Sequence, residues 1–313
     1  MAAAHTESRA SSPSLAVKDG ILLVDKESGP SSFRVAESIK KAAGARKAGH
    51  AGTLDPFATG LLIVLLNQGT KLSSYIMSQD KVYRAVIRLG IETDTADETG
   101  TIIGKRDIAG LTEKIIEETI QGFVGMIKQV PPRYSAVHYH GKRAYELARK
   151  GVQFTPRERE VRVNYVTILS IDLPVIWIEV GCSSGTYIRS LVSEFGSRLG
   201  AGAHLASLRR IRTGLFHVDF AHTIERIRRH LAKGTIKDII ISLKDAVQDM
   251  KQLDIPWELA RRIRNGYIPQ KGELDRGNIS VSPGNYCKAV NGGELVAILR
   301  ESNHGYELCR VFA

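Results

Sequence analysis

Apolar and polar positions fall into three kinds of run along this chain. Leu61 to Leu66 is an unbroken apolar block, bounded by Gly60 and by the turn-like Asn67-Gln68-Gly69. A block this short, closed by turn residues, predicts a strand buried on both faces. Ile21 to Val24 predicts a second, shorter one. Val82 to Leu89 alternates instead: Tyr83, Ala85, Ile87 and Leu89 share one face, and Arg84 and Arg88 share the other. That period predicts a half-buried strand. Val175 to Cys182 and Leu205 to Thr213 also read as strands, the second carrying Arg209, Arg210 and Arg212. Helical spacing marks the third kind. Val35 and Ile39 follow a cap at Ser31-Ser32 and end near Gly44, and Lys71 to Met77 fits a short helix. Ile116, Ile120 and Phe123 mark another. Ile188, Leu191, Val192, Phe195 and Leu199 mark a further one, with Thr186 as its cap and Gly200 as its stop.

A boundary is expected near Asp249 to Asp254. Beyond it, Pro256 opens a helix through Arg264, with Leu259 and Ile263 on one side and Gly266 as the stop. Short strands and Gly/Asn turns follow, the pattern of a small β-barrel-like module that is marginal alone and stable when docked on a larger body. At 313 residues the chain has room for one large core and such an addition. Residues 1–18, rich in Ala and Ser, lack the apolar core of a secretory signal and are expected to be a disordered tail. No run reaches the roughly 18 apolar residues of a membrane span. Cys182, Cys287 and Cys309 form neither a disulfide framework nor a CxxC pair, which suits a reducing cytoplasm.

The net charge of +11 points to a polyanionic partner. RNA, DNA and an anionic membrane all fit, although no basic amphipathic anchor stands out. From Pro131 to Arg162, cations such as Arg133, Lys142, Arg143 and Arg159 interleave with Tyr134, His138, Tyr139 and Tyr145. Cations grip phosphates and aromatic rings stack on bases, so this segment suits looped RNA. A solvated surface excursion explains it equally well.

The densest chemistry lies in Gly49-His50-Ala51-Gly52-Thr53-Leu54-Asp55-Pro56-Phe57-Ala58-Thr59-Gly60. Asp55 sits just before the buried Leu61–Leu66 block, where a scaffold aims a side chain well. Asp-Pro is also ordinary turn chemistry. The loop is neither a P-loop nor a dinucleotide fingerprint. Arg189, in the first turn of a predicted helix, has the wrong sign for that end of the dipole. A cation placed there calls for a partner or a ligand.

Together these pieces resemble the TruB family of tRNA pseudouridine synthases. The resemblance rests on Gly49 to Gly60, Lys81-Val82-Tyr83-Arg84, the run from Gly90 to Asp97, Pro131 to Ala136, Gly185-Thr186-Tyr187-Ile188-Arg189 and Leu208-Arg209-Arg210, in family order over residues 19 to 245. It implies an α/β (α+β) pseudouridine synthase fold over residues 19–249, with a mixed, mainly antiparallel sheet and an RNA-gripping insert at about 131–162. Residues 250–313 resemble, more weakly, the RNA-binding PUA-type module of such enzymes.

The implied reaction is isomerisation of uridine to pseudouridine at the position numbered 55 in the tRNA T loop, with the base flipped out of its stack. It needs no metal or cofactor, and the sequence offers no site for one. The resemblance makes Asp55 the essential carboxylate, Arg189 its counter-charge and Tyr83 the ring that stacks on the base and helps move the C5 proton. It makes His50 the residue entering the space the base leaves, places Lys26 near the site, and gives Tyr187 and Leu208 the uracil pocket. Where the family often has Lys-Pro, this chain reads Lys26-Glu27. The expected partner is the T arm of tRNA, bound by a monomer without guide RNA. A guide-dependent synthase and an RNA-binding protein with a dead site are the competing readings.

Overall fold

The computed structural model describes residues 19–132, 134, 138, 139, 142, 143, 147, 150–152, 154, 156–274, 284–302 and 305–313. Residues 1–18, expected to form a tail, and much of the 131–162 segment lie outside the described residues. The strands, in chain order, are β1 (Gly20–Lys26), β2 (Ala48–His50), β3 (Thr59–Leu66), β4 (Lys81–Leu89), β5 (Ile91–Thr93), β6 (Ile102–Lys105), β7 (Gly125–Gln129), β8 (His138–Tyr139), β9 (Lys142–Arg143), β10 (Arg159–Asp172), β11 (Val175–Cys182), β12 (Ala203–Thr213), β13 (Phe216–His217), β14 (Lys251–Asp254), β15 (Tyr286–Asn291), β16 (Glu294–Ser302) and β17 (Gly305–Val311). The helices are α1 (Ser32–Ala43), α2 (Ser73–Met77), α3 (Glu113–Gln121), α4 (Ile188–Arg198), α5 (Ile224–Ala232), α6 (Trp257–Arg264) and α7 (Lys271–Leu274).

The main sheet has nine strands in the order β1-β3-β12-β4-β11-β10-β7, with β2 beside β3 and β13 beside β12. Its pairs are antiparallel except β12 with β3, so the sheet is mixed and mainly antiparallel, as the resemblance implies. The unbroken apolar run of β3 has a direct cause. Leu62, Val64 and Leu66 face a core shared with Ile39 of α1, Phe195 of α4 and Ile227 of α5. Leu61, Ile63 and Leu65 face a second core on the opposite side, built with Leu295, Ile298 and Phe312 from the end of the chain. A strand covered on both faces has no polar side to alternate.

Local signals act where they were expected. The Ser31 side chain accepts the Arg34 N–H at the start of α1, and Gly44 ends that helix in the left-handed region. Two expectations need correction. Thr186 does not cap α4: Tyr187 takes the N-cap position without a side-chain bond, while Thr186 Oγ1 donates to Ser183 O at 3.0 Å. Arg159 to Arg162, read as part of a cationic excursion, begin the long strand β10 and pair with β7. Val161, Val163 and Val166 point into the protein while charged neighbours face out, and that outer face hid the strand.

Lys71 to Met77 splits into a 3-10 turn over Asn67–Leu72 and the short α2. The last region is a four-stranded sheet in the order β14-β15-β16-β17, with Leu259 and Ile263 of α6 packed on it. Strand β16 faces both ways: Val296 and Leu299 enter this small core, and Leu295 and Ile298 enter the second core of the main body. Among the described residues, no helix is long and apolar enough to cross a membrane.

Candidate active site

Asp55 stands at the tip of the loop between β2 and β3, and that loop is fastened from below. Ser32 Oγ accepts the Leu54 N–H at 2.8 Å and lies 3.0 Å from Leu54 O, to which it donates. The Gly29 N–H donates to Pro56 O at 2.8 Å. Lys26, fully buried on β1, donates from Nζ to Pro56 O at 3.0 Å and Ala58 O at 2.6 Å. Burial lowers the Lys26 ammonium to about 8, although Asp55 works to raise it. The loop re-enters the sheet at Gly60, whose φ is +95°; a Cβ there would lie 2.3 Å from Arg210 O. Only glycine lets β3 approach β12 so closely at this point.

Arg189 answers the dipole anomaly. Its side chain is 3 % exposed, and Nε lies 2.8 Å from Asp55 Oδ2 while Nη2 donates to Asp55 Oδ1 at 3.1 Å. Nη1 lies 3.6 Å from Asp97 Oδ2 and donates to Thr95 O at 3.2 Å. Nη2 also donates to Tyr134 O at 2.8 Å. A buried cation is thus shared by two carboxylates. Asp97 is held in turn by the hydroxyls of Thr95 and Thr99, at 2.8 and 2.6 Å. Burial pushes the Asp55 carboxyl above its usual range; Arg189 opposes this, and Asp97 adds to it.

The Asp55 carboxylate opens into a cleft of about 290 Å³ that Tyr83, Tyr187, Leu208 and Arg210 help to wall. Tyr83 is 8 % exposed, and burial raises its phenol. The Tyr187 backbone is clasped by the Gln129 amide, which accepts from its N–H at 2.7 Å and donates to its O at 2.9 Å. The Arg159 guanidinium lies 4.6 Å over the Tyr187 ring. Lys81, also in the cleft wall, donates to Met77 O and Gln79 O, and burial lowers its ammonium to about 8.

Five expected site residues therefore meet in one cleft: Asp55, Tyr83, Tyr187, Arg189 and Leu208. Lys26 and His50 do not line it. Lys26 lies beneath the loop, and His50 lies on β2 opposite Val64. The sequence pointed to no specific task for Lys81, Asp97, Gln129 or Arg210, and it placed Arg159 only among the cations of the 131–162 segment. Lys81, Asp97 and Arg210 fall inside motifs of the family resemblance, which was the available signal. Gln129 carried none. Among the described residues, no three His, Cys, Asp or Glu side chains gather as a metal site would require.

Residues 40–188 match the profile described as TruB family pseudouridylate synthase (N terminal domain). Residues 189–253 match the tRNA pseudouridylate synthase B C-terminal domain. The chain belongs to the TruB family. It is 42 % identical over 284 residues to a tRNA pseudouridine synthase B of Syntrophus aciditrophicus (strain SB), covering 90 % of this chain and 91 % of that one. It is 36 % identical to the namesake of Geobacter sulfurreducens (strain ATCC 51573 / DSM 12127 / PCA) over 281 residues, 90 % and 92 % of the two chains. Among solved structures, one chain of a Cbf5-Nop10-Gar1 complex superposes with a TM-score of 0.74 at 26 % identity, covering 94 % of this chain and 85 % of that one. A TruB enzyme isomerises a base, and the cleft presents one carboxylate, one counter-cation and aromatic walls.

Proposed function

We propose that this chain converts uridine to pseudouridine at the position numbered 55 in the T loop of tRNA, acting alone in the cytoplasm without guide RNA. The observation that carries this reading is the Asp55–Arg189 pair at the mouth of a base-sized cleft walled by Tyr83, Tyr187 and Leu208. The C1′–N1 bond breaks, the C1′–C5 bond forms, and one hydrogen moves from C5 to N1. Asp55 supplies the negative charge that acts on the nucleotide, and Arg189 keeps it ionised in a desolvated place. Tyr83 stacks on the flipped base and assists the C5 proton. Tyr187 and Leu208 confine the ring while it turns. Lys26 supports the loop rather than the base, and His50 enters the space the base leaves. The basic 131–162 segment and the C-terminal sheet, a PUA-like module, hold the RNA.

The test is a guide-free reaction. Purified protein and an unmodified tRNA transcript should yield pseudouridine at that one position, and Asp55→Ala should yield none while binding tRNA within a few-fold. Absence of product from the wild-type protein would leave the guided or the binding-only reading.

A further inference from the structure

Arg210 occupies the joint between the two elements that carry the chemistry. Strand β12 lies between β3 and β4, and Arg210 stands opposite Gly60 on one and Tyr83 on the other. The residue is 1 % exposed. Its Nε donates to Leu61 O at 2.7 Å, Nη2 donates to Gly52 O at 3.0 Å, and Nη1 reaches Thr53 O at 3.5 Å. These carbonyls flank Asp55 on both sides, at the start of its loop and just beyond its end. Arg210 and Tyr83 also wall the same cleft.

Among the described residues, the hydrogen-bond partners of the Arg210 guanidinium are thus backbone carbonyls, not a carboxylate. A buried cation without a counter-ion is costly, and a neutral donor would serve a mere strut at less cost. Arginine alone has a rigid planar fork with enough donors to bind both ends of the loop together.

We propose that Arg210 is a positioning residue for the isomerisation, fixing the Asp55 loop against the strand that carries Tyr83. This rests on the reaction proposed above. The charge also opposes the upward push of burial on the Tyr83 phenol, which Cys182 on β11 and the Asp55 carboxylate reinforce. Misplacement by about 1 Å at such a joint costs on the order of a hundredfold in rate.

The experiment compares wild type with Arg210→Lys in single-turnover reactions on a tRNA transcript. A wild type that makes no pseudouridine sinks the proposed reaction itself and is recognised before the variant is read. With an active wild type, Arg210→Lys should lose about a hundredfold in rate at saturating tRNA while tRNA affinity stays within about threefold. A rate loss no larger than the unfolded fraction, or one matched by an equal loss of tRNA affinity, overturns the proposal. If Arg210→Lys does not fold, wild-type protein labelled at arginine with 15N decides. The Arg210 guanidinium protons, held by the loop carbonyls, should be protected from exchange with solvent, and freely exchanging protons overturn the proposal.

Discussion

The cleft at Asp55 and the C-terminal sheet use the same kinds of ion pair in opposite ways. In the C-terminal sheet, Arg262 pairs with Glu273, Arg264 with Glu294 and Arg300 with Glu307. These partners lie within 30 positions of each other, and each pair has one side chain at least 47 % exposed. In the cleft, Arg189 and Asp55 are 134 positions apart, and the arginine is almost wholly buried. Exposed pairs of the first sort add little, because solvent screens them and two long side chains must be held still. A buried pair pays a desolvation cost and gives a fixed geometry in return. In this molecule, buried charge marks where atoms must be placed, and surface charge marks where the chain meets water.

The largest expected break in that contrast is Arg189→Ala. It leaves Asp55 and Asp97 facing each other with no cation between them. Removing one partner of a buried pair costs about 3–5 kcal/mol. Denaturant unfolding should show that loss, and single-turnover conversion should fall by about 10³-fold or more, as for other groups that act as a catalytic unit.

Phe312→Ala probes the other region at similar cost and with a different readout. Phe312 is 2 % exposed and sits among Leu295, Ile298 and the outer face of β3. Truncating a buried phenylalanine costs about 3–5 kcal/mol. Stability should drop by that amount, and conversion of already bound tRNA should stay within about threefold. A comparable loss of rate would show that the C-terminal sheet helps to shape the cleft.

The two regions also differ in how far their sequences betray them. Helix α6 was legible from Pro256, Leu259, Ile263 and Gly266, all local signals that act within one element. Strand β3 was legible because both its faces are covered, so its apolar run had no gaps. The cleft was legible only through separated motifs, since no local pattern links Asp55 to Arg189. The misplacement of Arg189 on the helix dipole was the one physical clue, and it named no partner. Asp97 was visible only as the end of the Gly90 to Asp97 motif, and its burial depends on Arg189 arriving from far along the chain. Arg210 read as one of three arginines on a strand. Its neighbours Arg209 and Arg212 point elsewhere, Arg209 to Asp25. Strand β10 was missed because its outward residues are charged and its inward valines alternate with them.

Asp97→Asn sharpens the comparison within the cleft. Asp97 pushes the Asp55 carboxyl up, while Arg189 and Lys26 pull it down. In the proposed reaction the active form is the carboxylate, so activity should appear as pH rises through the Asp55 pKa. Removing the Asp97 charge lowers that pKa, and the acid limb of the rate profile should move to lower pH. The plateau should fall by about tenfold, because Arg189 loses one of its anchors. An acid limb that moves upward would mean that Asp97 chiefly holds Arg189 in place.

Glu294→Ala should have the smallest effect of the four. Glu294 is 79 % exposed, and its carboxylate lies 3.4 Å from Arg264 Nη2. The pair spans the gap between α6 and β16, so removing it tests whether surface charge contributes to the module's fold. Screening and side-chain entropy leave such pairs about 0–1 kcal/mol, and the melting temperature should shift by no more than a few degrees. The rate on tRNA should not change. Removing an acid also makes the module more positive, so tRNA affinity at low salt should rise slightly and return to the wild-type value as salt screens the difference. A loss of stability as large as that of Phe312→Ala would place structural weight on an exposed pair, and the division between buried and surface charge in this chain would fail.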